Sequence, residues 1–176
     1  VNAFYKWDHN SCETLIDHNG DIRPIDFANA YPDSTLISLH YYFPELVKAM
    51  VRWLVFCCVT NRVKPVPYAY DWRDYFAIKN KAEQEGMSYE ETLDAYEELA
   101  DAYFDTENFE AFCSEYLQGF DEVAAEYFAS EDFDRIIQEE VSNYFKMAHE
   151  KPAKLAHYRG IHNFWVHCER ERLKSV

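Results

Sequence analysis

No stretch of this chain is apolar for long enough to cross a bilayer, since it has no run of 18 apolar residues. No basic segment leading into an apolar one opens it, so no secretory signal is read. The five cysteines (Cys12, Cys57, Cys58, Cys113 and Cys168) contain no C-x-x-C, are odd in number and include one adjacent pair. That pattern argues against a disulfide framework and predicts reduced thiols in the cytoplasm. Also missing are G-x-G-x-x-G, the P-loop, G-x-S-x-G and H-E-x-x-H, which removes four familiar routes to nucleotide, acyl or zinc chemistry. Basic residues are almost absent from one block. Residues 88–140 hold 18 Asp or Glu against Arg135 alone, within a chain of net charge −15. An acidic surface repels phosphate backbones, so general nucleic-acid binding is excluded as an expectation.

What is present is one hairpin signal and a long helical remainder. Asn19-Gly20 is a strong two-residue turn signal, because a type I′ turn needs positive φ at both central positions. With those two residues as the turn, His18 pairs with Asp21. Counting outward, Leu15 faces Pro24, Thr14 faces Ile25 and Glu13 faces Asp26. Two carboxylates then oppose each other with Cβ atoms about 5 Å apart, which is destabilising unless a cation lies between them or one is protonated. Asn29 adds a neutral oxygen. Two carboxylates and an amide oxygen form a hard donor set suited to Mg2+ shared with phosphate groups. A one-residue bulge would turn Asp26 to the other face, and Pro24 confines its strand to an edge or a bulge.

Elsewhere the pattern is mostly helical. Asn2–Trp7 alternates with aromatics and predicts a strand. Pro44 reads as the start of a helix, and Ala49–Val59 is apolar except for Arg52, predicting a core helix buried on most sides, Trp53 and Phe56 included. Residues 61–67 carry two prolines and mark a connector. A helix over 70–85 stops at Gly86, and Ser88-x-x-Glu91 is a capping box. Aromatic stripes then run Tyr89 to Tyr103 and Phe109 to Tyr127, the second in phase across Gly119, as one long helix or two collinear ones. Ser130 caps a helix with Phe133, Ile136, Ile137, Val141 and Tyr144 inward, and residues 154–174 form the last helix. His157, His162 and His167 recur every five residues, about 140° apart on a helix, so they do not converge on one metal. Residues 146–176 carry net +4 and offer partial neutralisation of the acidic block.

The stretch from Trp7 to Asp33, with Cys12-Glu13-Thr14-Leu15-Ile16 and Arg23-Pro24-Ile25-Asp26-Phe27-Ala28-Asn29 as its strands, resembles the last core hairpin of ATP-grasp carboxylate–amine ligases. His157-Tyr158-Arg159-Gly160 is similar to a motif in the helical tail of a bacterial subgroup of that family. The resemblance implies that Glu13 and Asp26 are carboxylate ligands of the Mg2+ ions of bound ATP and that Asn29 is the amide ligand. The family places its asparagine two residues after the acid, where this chain has Ala28, so Asn29 reaches the site only through a bulge. The adenine pocket, the phosphate-binding lysines and the glycine-rich loop of such ligases precede this hairpin, and none occurs here.

The expected fold is therefore α+β and mostly α: an N-terminal antiparallel hairpin followed by a bundle of about five to six helices. Residues 1–60 are expected to form the end of an ATP-grasp-like core, and residues 61–176 an acidic helical domain. The chain, which begins at Val1, is expected to be the C-terminal part of a longer ligase-like protein. In that case it would supply Mg-ATP ligands without being catalytic alone, and would work with the N-terminal remainder. The alternative is an acidic helical interaction module with no enzymatic role.

Overall fold

The computed structural model describes residues 1–62 and 71–175. The fold is α+β and mostly helical. A helical turn α1 (Asn2–Tyr5) precedes an antiparallel hairpin of β1 (Ser11–Ile16) and β2 (Ile22–Asn29). After it come α2 (Leu36–Leu39), a 3-10 turn (His40–Tyr42), α3 (Phe43–Val59), α4 (Arg73–Glu85), α5 (Tyr89–Phe104), α6 (Thr106–Tyr116), α7 (Phe120–Phe128), α8 (Glu131–Tyr144) and α9 (Lys151–Lys174). The chain divides into two compact units, Val1–Pro32 with Val63–Ala111 and Asp33–Arg62 with Phe112–Val176. The hairpin lies in the first unit and α3 in the second.

In the first unit, α1 replaces the strand expected over Asn2–Trp7. Its aromatics do not line a sheet face but pair with one another and with residues far along the chain. Phe4 stacks on Trp72 at 4.9 Å, Tyr5 stacks on Trp7 at 4.6 Å, and Trp72 Nε1 donates to the Phe4 carbonyl at 3.0 Å. Lys6, at φ +59°, ends the turn and sits over the Tyr103 ring. α4 stops at Gly86, whose φ of +67° suits a residue without Cβ. The expected capping box opens α5: Ser88 Oγ accepts from the Glu91 N–H, and the Glu91 carboxylate accepts from the Ser88 N–H. Tyr75 and Tyr96 stack between α4 and α5.

In the second unit, Leu36, Ile37, Phe128, Phe133, Ile137, Val141, Tyr158 and Trp165 form the core. Ser130 Oγ accepts from the Phe133 N–H and starts α8 as expected. Phe133, Ile137 and Val141 are buried, whereas Ile136 and Tyr144 are exposed. Of the two forms expected across Gly119, one long helix or two, the chain takes two, α6 and α7: Asp105 at φ +59° separates α5 from α6, and Gly119 at φ +76° precedes α7. These breaks reset the phase, so Phe112 and Ala124 are buried while Tyr116, Val123 and Tyr127 are exposed. α3 also departs from expectation. Phe56 is 1% exposed and packs on Phe112 at 5.5 Å, but Trp53 is only half-buried, and Val51, Leu54, Cys58 and Val59 face outward. The buried side of α3 is instead partly ionic. Near-continuous apolar sequence hides this, because a single lysine among apolar residues looks like an interruption.

That lysine, Lys48, is 3% exposed and lies among carboxylates from three helices. Its Nζ is 2.5 Å from Glu169 Oε1, 3.3 Å from Asp121 Oδ1 and 3.4 Å from Glu45 Oε2. Arg172 donates Nε to Glu169 and Nη2 to Asp121, Arg52 also pairs with Asp121, and Trp165 Nε1 donates to Glu45. The Arg172 guanidinium, with help from Lys48, overrides burial and holds the Glu169 carboxyl below its usual range. Burial pushes Asp121 upward, but Arg172, Lys48 and Arg52 outweigh it. A second bridge joins α9 to α8, where Arg159 makes a two-pronged pair with Asp134. The basic last helix thus neutralises part of the acidic block from within its own unit.

His162, 9% exposed, meets the Phe128 carbonyl at the C-terminal end of α7 through Nε2 and stacks on Phe133. A carbonyl can only accept, so Nε2 carries the proton and the orphan acceptor of that helix end is satisfied. Burial lowers the His162 pKa, against smaller upward pulls from the Phe128 carbonyl and Asp134.

Two predictions follow from this packing. Phe56→Ala should destabilise the second unit by about 3–5 kcal/mol, as for other fully buried aromatics, and Trp53→Ala by clearly less; denaturant melts of the two variants would show the difference. Stability should also fall on acidification. His162 is disfavoured as a cation in the folded state, so its contribution is complete above about pH 6.5 and is lost below it. Asp121 and Glu169 have depressed folded pKa values, so their contributions persist until the pH drops through the ordinary carboxylate range near 4. Melts between pH 7 and 5 should lose their slope in His162→Gln, while the loss near pH 4 remains.

Candidate functional site

The hairpin turn differs from the two-residue form. Among the described residues Gly20 has φ +89°, and Asn19 is not among those with positive φ, which excludes type I′. The Gly20 N–H donates to the Asp17 carbonyl at 3.0 Å, and the Asp17 N–H to the Asp21 carbonyl at 3.0 Å. This is a three-residue loop, a type I turn closed by a left-handed glycine. The side chain of Asp17 selects it: Oδ1 accepts from the N–H groups of Asn19 at 2.8 Å and Asp21 at 3.1 Å, and Oδ2 from Arg23. These bonds, led by that from Asn19, hold the Asp17 carboxyl below its usual range.

The longer loop shifts the near pairs by one residue. Ile16 faces Ile22, Leu15 faces Arg23, and Thr14 faces Pro24. Ile25 then has no partner, and beyond this bulge Glu13 faces Asp26. The loop and the bulge displace the register in opposite senses, so the acidic pair expected from sequence forms by a different route. Pro24, which has no N–H to give a ladder, sits next to the bulge where it costs least. A second extra residue in β2 brings Asn29 opposite Ser11, and Ser11 shares the face of Glu13 by strand alternation.

The register therefore brings Glu13 and Asp26 together and delivers Asn29 to the same side, but Asn29 is already engaged. Its Oδ1 accepts from the Tyr31 N–H at 3.1 Å, and its own N–H donates to Asn10 Oδ1 at 2.7 Å. Asn10 also donates Nδ2 to the Phe27 carbonyl at 3.0 Å. It is the clamp on the end of β2, a role that its place in a polar Asp8–Ser11 stretch did not suggest. Asp26 Oδ1 accepts from the Ala28 N–H. Neither Glu13 nor Asp26 has an ion-pair partner among the described residues.

Chemically, the pair is a hard, acidic half-site. Two carboxylates suit Mg2+ when phosphate oxygens and water complete the shell, and an amide oxygen already accepting one hydrogen bond keeps a second lone pair. Among the described residues no group of three or more His, Cys, Asp or Glu is arranged to hold a metal. The three tail histidines separate as expected: His162 is buried, His157 lies beside His40 with ring centroids 6.3 Å apart, and His167 is exposed. None of the five cysteines is joined in a disulfide, and Cys12 and Cys58 are exposed.

Both faces of the hairpin are open. Leu15, Ile16, Ile22, Ile25 and Phe27 are all exposed, Ile16 to 74%. A two-stranded hairpin alone is marginal in water, and an apolar surface of this kind commonly marks a contact region.

Compared with known protein families, curated proteins and solved structures, the chain matches none. No described helix is long and apolar enough to cross a membrane.

Gly20 offers a direct check on the turn. An alanine there would meet no neighbour, so any loss comes from the left-handed backbone alone, about 1–2 kcal/mol. Gly20→Ala should weaken amide protection across β1 and β2 while leaving that of α8 and α9 unchanged in hydrogen exchange.

Proposed function

We propose that this chain is the C-terminal part of an ATP-grasp, carboxylate–amine ligase-like protein, with the Ser11–Asn29 hairpin supplying Mg-ATP ligands. The observation that carries the proposal is the pairing of Glu13 with Asp26 without a cation beside them. Such a pair is unfavourable as it stands and is relieved by a divalent ion. In this role Glu13 and Asp26 hold the metal, and Asn29 contributes its spare lone pair. The bound ion neutralises charge on a transferring phosphoryl group. The exposed apolar residues of the hairpin suit a piece covered by the remaining sheet of a longer protein. Five cysteines without a disulfide agree with a reducing, cytoplasmic setting. The chain lacks the nucleotide-gripping half, so it is not catalytic alone.

The second reading, an acidic interaction module, draws on two observations. Asn29 Oδ1 is spent on the Tyr31 N–H. Glu90, Asp94, Glu97 and Asp101 form one exposed stripe along α5, with no ion-pair partner among the described residues.

Millimolar Mn2+ should raise the melting temperature of the hairpin-bearing unit, and the Glu13→Gln, Asp26→Asn double variant should lose that shift. An equal shift in wild type and double variant would overturn the metal assignment. Calorimetry should find no tight ATP binding by the chain alone, and micromolar affinity would refute the view that the nucleotide grip lies elsewhere.

A further inference from the structure

Beside the Lys48 cluster lies a cavity of about 350 Å³, room for several waters at roughly 30 Å³ each. Its wall carries both signs of charge equally, with Lys48, Arg52 and Arg172 against Glu45, Asp121 and Glu169. Hydrogen-bonding capacity around it is spent unevenly. Lys48 donates to Glu169 and holds Asp121 and Glu45 as ion pairs at 3.3 and 3.4 Å. Glu169 receives on both oxygens from Lys48 and Arg172, and Asp121 on both from Arg52 and Arg172. Lys48 and Glu169, 3% and 4% exposed, close each other off, and Asp121 is bonded on both oxygens.

The capacity left accessible belongs chiefly to the other three, whose side chains are the most exposed of the six. A guanidinium has five N–H donors. Arg52 directs only Nη2 to a hydrogen-bond partner among the described residues, while Arg172 uses Nε and Nη2 and keeps Nη1. Glu45 accepts from Trp165 on Oε1; its Oε2 lies 3.4 Å from Lys48, and the side chain is 48% exposed. Spare donors on two arginines suit a carboxylate in the forked geometry that guanidinium groups favour. A spare carboxylate oxygen suits an ammonium. A simple anion would leave Glu45 unused and set it beside like charge, and a simple cation would do the same to the arginines.

We propose that this cavity binds a small zwitterion of the α-amino-acid class, with its carboxylate on Arg52 and Arg172 and its ammonium on Glu45. The indole of Trp165 supplies the apolar wall for a short side chain. Lys48 and Glu169 do not touch the ligand; buried and paired, they fix the three helices that carry the rim. The site uses no hairpin residue, so it stands or falls apart from the metal assignment.

The test is titration of the full chain, followed by calorimetry and by amide shifts, with glycine, L-alanine and L-serine. Acetate and methylammonium serve as the single-charge controls. At least one amino acid should saturate with a Kd on the order of millimolar, a range open to so small a ligand, and neither control should. Arg52→Gln and Glu45→Gln should each weaken binding about tenfold or more with unchanged circular dichroism, and Arg172→Gln takes the place of Arg52→Gln if that variant alters the spectrum. Absence of binding by all three amino acids would overturn the proposal. So would controls that bind as tightly as the zwitterions, or a rim variant that binds as wild type does.

Discussion

The second unit depends on a cation that has been taken out of water. A lysine as buried as Lys48 is costly unless its charge is matched and its protons are bonded. Here the match comes from α3, α7 and α9 at once. Removing one carboxylate would leave the others facing an unbalanced charge, so the contacts behave as a unit and not as separate surface pairs. The same arrangement explains why α3 can expose Leu54 and Val59: it is held through Phe56 and by ionic bonds, and does not need apolar burial on every side. Arg172 ties the network outward to the chain's basic end, and Arg159 repeats the device on α8. The positive charge of α9 is thereby used where the acidic helices of its own unit need it.

The first unit solves a different problem. Its hairpin has no sheet to join among the described residues, and its order comes from local polar bonds. Asp17 gathers two backbone N–H groups and a guanidinium at the turn. At the other end Asn10 bonds the backbone of β2 at two places. Between these clamps the apolar side chains contribute little while they remain in water. Stability and the function proposed for the hairpin therefore ask for the same thing, a covering surface over the strands and a cation at the acidic pair.

Local chemistry was legible in the sequence wherever one residue settles the conformation. Gly86, the Ser88–Glu91 box and Ser130 act within a single turn of chain, and each appears as expected. Periodicity was less reliable. The stripe from Phe109 to Tyr127 keeps its phase on paper, but Gly119 within it adopts a left-handed conformation that restarts it, and Asp105 does the same between α5 and α6. An aspartate in that role carries no strong signal, since it is tolerated there and not required. Aromatic alternation over Asn2–Trp7 misled because ring stacking needs no sheet. At the candidate site, the identity of the acidic pair was accessible and its construction was not. Asn19-Gly20 suggested the tightest turn, whereas a side chain two residues earlier decided the loop. The Lys48 cluster was invisible, because partners such as Lys48 and Glu169 lie 121 residues apart and no spacing rule joins them.

The hairpin joins strands of unequal length, and this governs how the chain can change length. Loss of one loop residue would close a two-residue turn on the same Asp17–Asp21 pair, and loss of Ile25 would remove the bulge; either change leaves Glu13 facing Asp26. The segment between residues 13 and 26 can therefore shorten at either place, so its length is free to drift in descent while the facing of the two acids is kept.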